Sequence, residues 1–184
     1  YERYTRPFMD GSAALLAAAA EIAAGDVVLD LACGPGLVAR QVLPYVGAAG
    51  RVVGADINTG MVAAAGDHLG SAVEWVVAPC DAMPFGDGTF SHVLCQQGFQ
   101  FFPDLAAAMS ESLRVLRPGG RLLATVWATP GGNPYIEHQL ALLAAIDPSQ
   151  AASVQRATPP HADVLLGGAA TAAGFAVVNT TLIE

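Results

Sequence analysis

Val28-Leu29-Asp30-Leu31-Ala32-Cys33-Gly34-Pro35-Gly36 is the stretch on which the fold turns. A β-branched and apolar run ends in a glycine-rich turn, and a helical pattern over 37–48 follows directly. Glycines at 34 and 36 remove two Cβ atoms, so the backbone can pass close to a ligand at the position where open α/β sheets bind nucleotides. Pro35 lacks an N–H, however, and no third glycine completes a G-x-G-x-x-G pattern. A pyrophosphate is therefore poorly served by this turn. Taken alone, the same residues also read as a tight strand-to-helix connection.

Working outward, short strand-like runs recur at 27–31, 51–56, 73–77, 90–96 and 121–127, each bounded by Gly, Pro or Asp. Helical patterns occupy the spaces between them. The first covers 12–24, with Ser12 as N-cap and Gly25 as stop. Others cover 37–48 and 59–69, the latter capped by Asn58, and Pro103-Asp104 opens a further helix that Pro118-Gly119-Gly120 closes. Strands alternating with helices predict a mostly parallel α/β sheet covered on both faces. Only residues 79–89 separate the third strand from the fourth, too few for a full helical crossover. Beyond Trp127 the pattern gives helices over 134–146 and 163–173 and a strand over 175–183, while 147–161 holds three prolines and no periodicity.

Composition narrows the function. The chain has 184 residues, 53% apolar and 13% charged, with 20 glycines and 12 prolines, which suits one globular domain. A net charge of −8 with 8 scattered arginines offers no basic stripe for phosphates, so no nucleic-acid partner is expected. There is no lysine, which removes Schiff-base chemistry and the Walker lysine together. The apolar stretch 13–24 is interrupted by Glu21 and falls short of the roughly 20 residues of a bilayer span. With no basic leader before an apolar segment, the expected location is the cytoplasm. Cys33, Cys80 and Cys95 are odd in number and lie far apart in apolar surroundings, which predicts reduced thiols and no metal site.

Two acids share the edge that the glycine turn occupies. Asp56 ends the second strand, 20 residues after Gly36, where a carboxylate can accept both hydroxyls of a ribose, and Asp81 is read as ending the third. Each is also a plausible turn or cap residue, and Met61 by itself reads as core. Leu29-Asp30-Leu31-Ala32-Cys33-Gly34-Pro35-Gly36, Gly54-Ala55-Asp56, Cys80-Asp81-Ala82-Met83-Pro84-Phe85 and Arg114-Val115-Leu116-Arg117-Pro118-Gly119-Gly120 stand in this order over roughly residues 1–130. Together they resemble the class I S-adenosylmethionine-dependent methyltransferases, in particular the small-molecule branch similar to ubiquinone/menaquinone biosynthesis enzymes.

The resemblance implies a Rossmann-like, doubly wound fold, S-adenosyl-L-methionine as cofactor and S-adenosyl-L-homocysteine as product. It implies that Asp30 and the turn Ala32, Cys33, Gly34 and Gly36 meet the methionine part, Asp56 the ribose, Ile57 and Met61 the adenine faces, and Cys80, Asp81 and Ala82 the adenine edge. Tyr1, Tyr4 and Arg6 stand where the family places a cover over the methionine moiety. Residues 1–25 then form this cover and a helix, 26–130 the cofactor core, and 131–184 acceptor-side helices and an edge strand. An antiparallel closing strand expected of the family is not found after residue 184.

The acceptor side follows the fourth strand. Gln96 is assigned to the cofactor, and Gln97, Phe101 and Trp127 to a small-molecule acceptor, although the phenylalanines of 99–102 equally serve as packing. Among the histidines, His68 and His92 fall at the opposite sheet edge and are expected at the surface. His138, one turn into the helix after the fifth strand, is the candidate general base. The expected reaction is in-line methyl transfer to an O, C or N atom. A non-catalytic S-adenosylmethionine-binding module is the alternative, and a nicotinamide-dependent oxidoreductase is disfavoured by Pro35 and the missing glycine.

Overall fold

In the computed structural model the described residues are 6–127, 134–157, 162–176 and 178–181. Five strands, β1 (Val27–Leu31), β2 (Arg51–Asp56), β3 (Glu74–Val77), β4 (Phe90–Gln96) and β5 (Leu116–Thr125), form one sheet in the order β3-β2-β1-β4-β5. Every pairing is parallel. The chain runs outward from β1 to β3 and then crosses to β4 on the other side of β1, which puts the topological switch point between β1 and β4. That is where such sheets open a crevice at their carboxyl ends.

Alternation along the strands builds two cores. Val28, Val52 and Leu94 face α1 (Arg6–Ala19) and α2 (Leu37–Val46), and Trp75 and Leu69 bring α3 (Thr59–Leu69) to the same side. Leu29, Val53, Val93 and Cys95 face the other way, toward α4 (Leu105–Val115) and α7 (Ala162–Ala173). Burial on both faces explains why these strands read as continuous apolar runs. The remaining helices, α5 (Pro134–Ile146) and α6 (Pro148–Ala157), pack on each other.

Several expectations hold. Asn58 caps α3 by accepting from the Gly60 and Met61 N–H groups, and Asp104 caps α4 through Ala107 N–H. The 78–89 connection contains no α-helix. Instead it is fastened to α4, where Glu111 accepts from Met83 N–H at 2.7 Å and Arg114 donates to Phe85 O at 2.8 Å. Met83 is buried in the core on the α4 side, and Phe85 packs against it.

Others are corrected. The first helix starts at Arg6 and ends at Ala19, because Glu21 adopts a left-handed φ of 57° that no α-helix continues. Pro118-Gly119-Gly120 does not close a helix but lies within β5. Leu116 already pairs with Phe90, and Arg121 with His92, so the intervening residues bulge out of register, with Gly119 at φ 75°. The irregular region expected over 147–161 contains α6, which starts at Pro148, a residue well suited to a first helical turn. No strand forms among the described residues of 175–181; Phe175 instead packs into the core beside α7. Tyr1 and Tyr4 lie outside the described residues.

Candidate active site

The turn after β1 is shaped by its neighbours. Ala32, Gly34 and Gly36 all take left-handed φ values, of 55°, 51° and 82°. A Cβ on Gly34 would meet nothing within 4 Å, so that glycine leaves open space, whereas one on Gly36 would fall 2.8 Å from the Trp75 ring. The two glycines therefore serve different ends: approach from outside at 34, close packing from inside at 36. Gly54, opposite Trp75 in the β2–β3 register, is more crowded still, with a Cβ position 2.3 Å from Trp75 Cζ3.

Asp56 is the hub of the edge. Its Oδ2 accepts from Gly34 N–H at 2.9 Å and its Oδ1 from Asn58 N–H at 2.8 Å. Each carboxylate oxygen keeps a further lone pair for a ligand. The Asp56 carbonyl accepts from Ala78 N–H at 3.1 Å, which brings the chain after β3 alongside. Ile57 is 73% exposed at this edge, an apolar surface with no cover from the described residues, and Met61 is half-buried one turn into α3. Asp81 does not end β3, which stops at Val77. It sits exposed in the turn beyond, next to exposed Ala82 and half-buried Cys80.

Asp30 is 1% exposed and reaches from β1 to α2, accepting from Ala39 N–H at 2.9 Å. This bond does the work of a cap, because Gly36 at the helix start has no side chain to offer. Asp30 also lines a cavity of about 50 Å³ with Met9, Ala32, Cys33, Gly34 and Gln96. Gln96 Nε2 donates to Met9 O at 2.7 Å and so ties α1 over the switch point. Met9 was not identified from sequence, since it precedes the recognisable motifs and its carbonyl, not its side chain, makes the bond. Burial pushes the Asp30 carboxyl up to about 7, and the nearby Asp56 charge adds to this against the Ala39 N–H. Burial likewise raises Cys33 and Cys95, which keeps both as thiols.

The Asp30 shift has a definite sign. In the unfolded chain this carboxyl ionises near 3.8, in the folded chain near 7. Its contribution to stability is therefore complete below about pH 4, declines as pH rises, and is lost above 7. Asp30→Asn keeps an oxygen for Ala39 N–H and is expected to flatten that part of the stability curve. Urea unfolding at a series of pH values measures the slope.

At the carboxyl ends of β4 and β5, Gln97 N–H donates to Thr125 O at 2.9 Å and Trp127 N–H to Gln100 Oε1 at 3.3 Å, which gathers the two strand ends. Phe101 is 61% exposed there. His138 is exposed on α5, and no described contact joins it to the cavity. His92, expected at the surface, is instead 5% exposed, held between β1 and β5 with Nδ1 3.0 Å from Ser91 Oγ and 3.6 Å from Asp26 Oδ2. Ser91 and Asp26 address the same nitrogen, so these three are a structural cluster at the amino edge and not a nucleophilic triad.

A parallel sheet with a glycine turn, a buried acid just before it and a second acid ending β2 is the architecture of nucleoside-binding α/β proteins. Comparison with known proteins gives the family. A profile described as a methyltransferase domain matches residues 29–124. The chain is 38% identical over 111 residues to the ubiquinone/menaquinone biosynthesis C-methyltransferase UbiE of Geobacter sulfurreducens, a match covering 58% of this chain and 43% of that one. A crystal structure of a methyltransferase from Bacillus halodurans, itself described as putative, superposes with a TM-score of 0.70 at 27% identity, over 89% of this chain and 68% of that one. The [4+2]-cyclase SpnF shares the fold at 21% identity and a TM-score of 0.67, over 90% and 57% of the two chains. The chain belongs to the methyltransferase domain family, whose cofactor is S-adenosyl-L-methionine. It spans less than half the length of the curated relative.

Proposed function

We propose that this chain binds S-adenosyl-L-methionine and directs its methyl group to a small-molecule acceptor. The observation that supports this most is Asp56, whose two oxygens are already oriented by the Gly34 and Asn58 N–H groups beside an open turn. Bound S-adenosyl-L-methionine supplies a methyl group already activated on a sulfonium. In this reading Asp56 takes the ribose hydroxyls, Ile57 and Met61 flank the adenine, and Cys80, Asp81 and Ala82 stand at its edge. Asp30, Ala32, Cys33, Gly34, Gly36 and Gln96 border the methionine end. Tyr4 is assigned there as well on the resemblance alone. The chain's own contribution is proximity, orientation and exclusion of water.

Similarity to a C-methyltransferase favours carbon as the methylated atom. Gln97, Phe101 and Trp127 would meet the acceptor. Because His138 is exposed, catalysis is proposed to rest on positioning, and His138→Ala is expected to leave kcat within about twofold. A hundredfold fall with an altered acidic limb in the pH profile would instead assign it as the general base. Among the described residues no helix is long and apolar enough to cross a membrane.

Calorimetry tests the cofactor reading. Micromolar or tighter binding of S-adenosyl-L-methionine and S-adenosyl-L-homocysteine, with no heat from NAD, is expected; the reverse pattern would overturn it. A binding module without catalysis would show the same heats yet release no S-adenosyl-L-homocysteine with any phenol, quinone or amine acceptor.

A further inference from the structure

The loop between β3 and β4 is held by hydrogen bonds on both sides of Asp81 and Ala82. On one side Ala78 N–H donates to the carbonyl of Asp56 at 3.1 Å. On the other, Met83 N–H donates to Glu111 Oε1 at 2.7 Å, and Met83 is 4% exposed. Asp81 and Ala82 stand exposed between these anchors. Glu111 belongs to α4 and is set by Arg114 one turn on, whose Nε and Nη2 donate to its two oxygens at 2.7 Å each. Nη2 also donates to Met83 O at 3.2 Å, and Nη1 to Phe85 O at 2.8 Å and Asp87 Oδ1 at 2.7 Å. All five N–H groups of the guanidinium thus have partners, each of them in the loop or on Glu111. The side-chain hydrogen bond from Arg114 holds the Glu111 carboxyl below its ordinary range, so it meets Met83 N–H as a carboxylate.

We propose that Glu111 and Arg114 are positioning residues for the adenine end of the cofactor, through which α4 sets the discrimination of one base from another. This rests on the methyltransferase reading, which puts Cys80, Asp81 and Ala82 at the base edge, and adds to it the pair that orients them. Three of the pair's partners are backbone groups of one loop, Met83 N–H, Met83 O and Phe85 O, so its effect falls on the course of that loop. The Ala82–Met83 peptide transmits it. This peptide is planar and, with no cis bond among the described residues, its C=O points opposite to its N–H. With Met83 N–H drawn to Glu111, the Ala82 carbonyl is turned away from α4, next in sequence to the Asp81 carboxylate. Both groups accept hydrogen bonds, which suits an exocyclic amine and opposes an oxo group at the same ring position.

Titration calorimetry with two probes tests this: S-adenosyl-L-homocysteine, and S-inosyl-L-homocysteine, which carries an oxo group in place of the amine. The parent chain is expected to prefer the adenosyl probe at least fivefold. Glu111→Ala should weaken the adenosyl probe at least fivefold and the inosyl probe less than twofold, so that the preference disappears. A loss of stability alone would weaken both alike. Glu111→Gln keeps an oxygen for Met83 N–H and should retain most of the preference. Arg114→Lys keeps the charge, but its three donors sit on one ammonium that cannot serve Met83, Phe85 and Glu111 together, so it should behave like Glu111→Ala. It carries the test if circular dichroism shows Glu111→Ala unfolded. Equal losses of the two probes, an undiminished preference in the Ala and Lys variants, no preference in the parent chain, or a Glu111→Gln variant no better than Glu111→Ala overturns the proposal and leaves the methyltransferase reading standing. If the parent chain binds neither probe, that reading falls first and this one with it.

Discussion

Asp56→Ala is expected to weaken S-adenosyl-L-methionine binding by about ten- to a hundredfold, the loss of charge-assisted hydrogen bonds costing roughly 1.5–3 kcal/mol. Two effects add. The variant removes the acceptor proposed for the ribose, and it releases Gly34 N–H and Asn58 N–H, which set the turn after β1 and the start of α3. Asp56→Asn is expected to fail nearly as badly, because its amide can accept from one of these N–H groups only by turning its own NH₂ toward the other. Asp81→Ala should cost less, since Asp81 is exposed and no described hydrogen bond of this edge depends on it. Titration calorimetry of the three variants, with circular dichroism to show that each is folded, ranks them. Equal affinity for Asp56→Ala and the parent chain would remove the ribose assignment.

Gly54→Ala is expected to destabilise the fold by about 3 kcal/mol, the upper part of the range for overpacked cores. The added methyl would lie 2.3 and 2.5 Å from two carbons of the Trp75 ring and 3.3 Å from Cys33 Sγ. Neither neighbour can withdraw freely. Trp75 also packs over Gly36, and its Nε1 donates to Gly70 O at 3.1 Å, so displacing the ring disturbs the glycine turn and the end of α3 together. Trp75→Leu in the Gly54→Ala background should recover part of the loss, a coupling that a double-mutant cycle in urea measures directly. If Gly54→Ala proves neutral, the tight β2–β3 contact is not what holds the turn.

Much of the site was legible because its chemistry is local. The Asp30 to Gly36 string, Asp56 at a strand end and Asn58 before a helix each carry their meaning in three to nine consecutive residues, and the structure places them on one sheet edge. The place of Asp81 was legible only in part: its position four residues past β3 depends on where pairing with β2 stops, which is a tertiary matter. His92 was misread for a related reason. Its place at the amino edge followed from the strand pattern, but its burial depends on Asp26, Ser91 and the neighbouring strands.

By itself, then, the sequence determined the alternation of strands and helices, the parallel class of sheet and the edge that carries the glycine turn and Asp56, because period, capping and glycine turns act over a few residues at a time. Tertiary structure alone decided which strand neighbours which, how Pro118-Gly119-Gly120 is absorbed as a bulge, why Gly54 and Gly36 must be glycine beneath Trp75, and that His92 is buried against Ser91 and Asp26. These depend on contacts between residues far apart in the chain. Packing and hydrogen-bond satisfaction are properties of such contacts, and no local pattern encodes them.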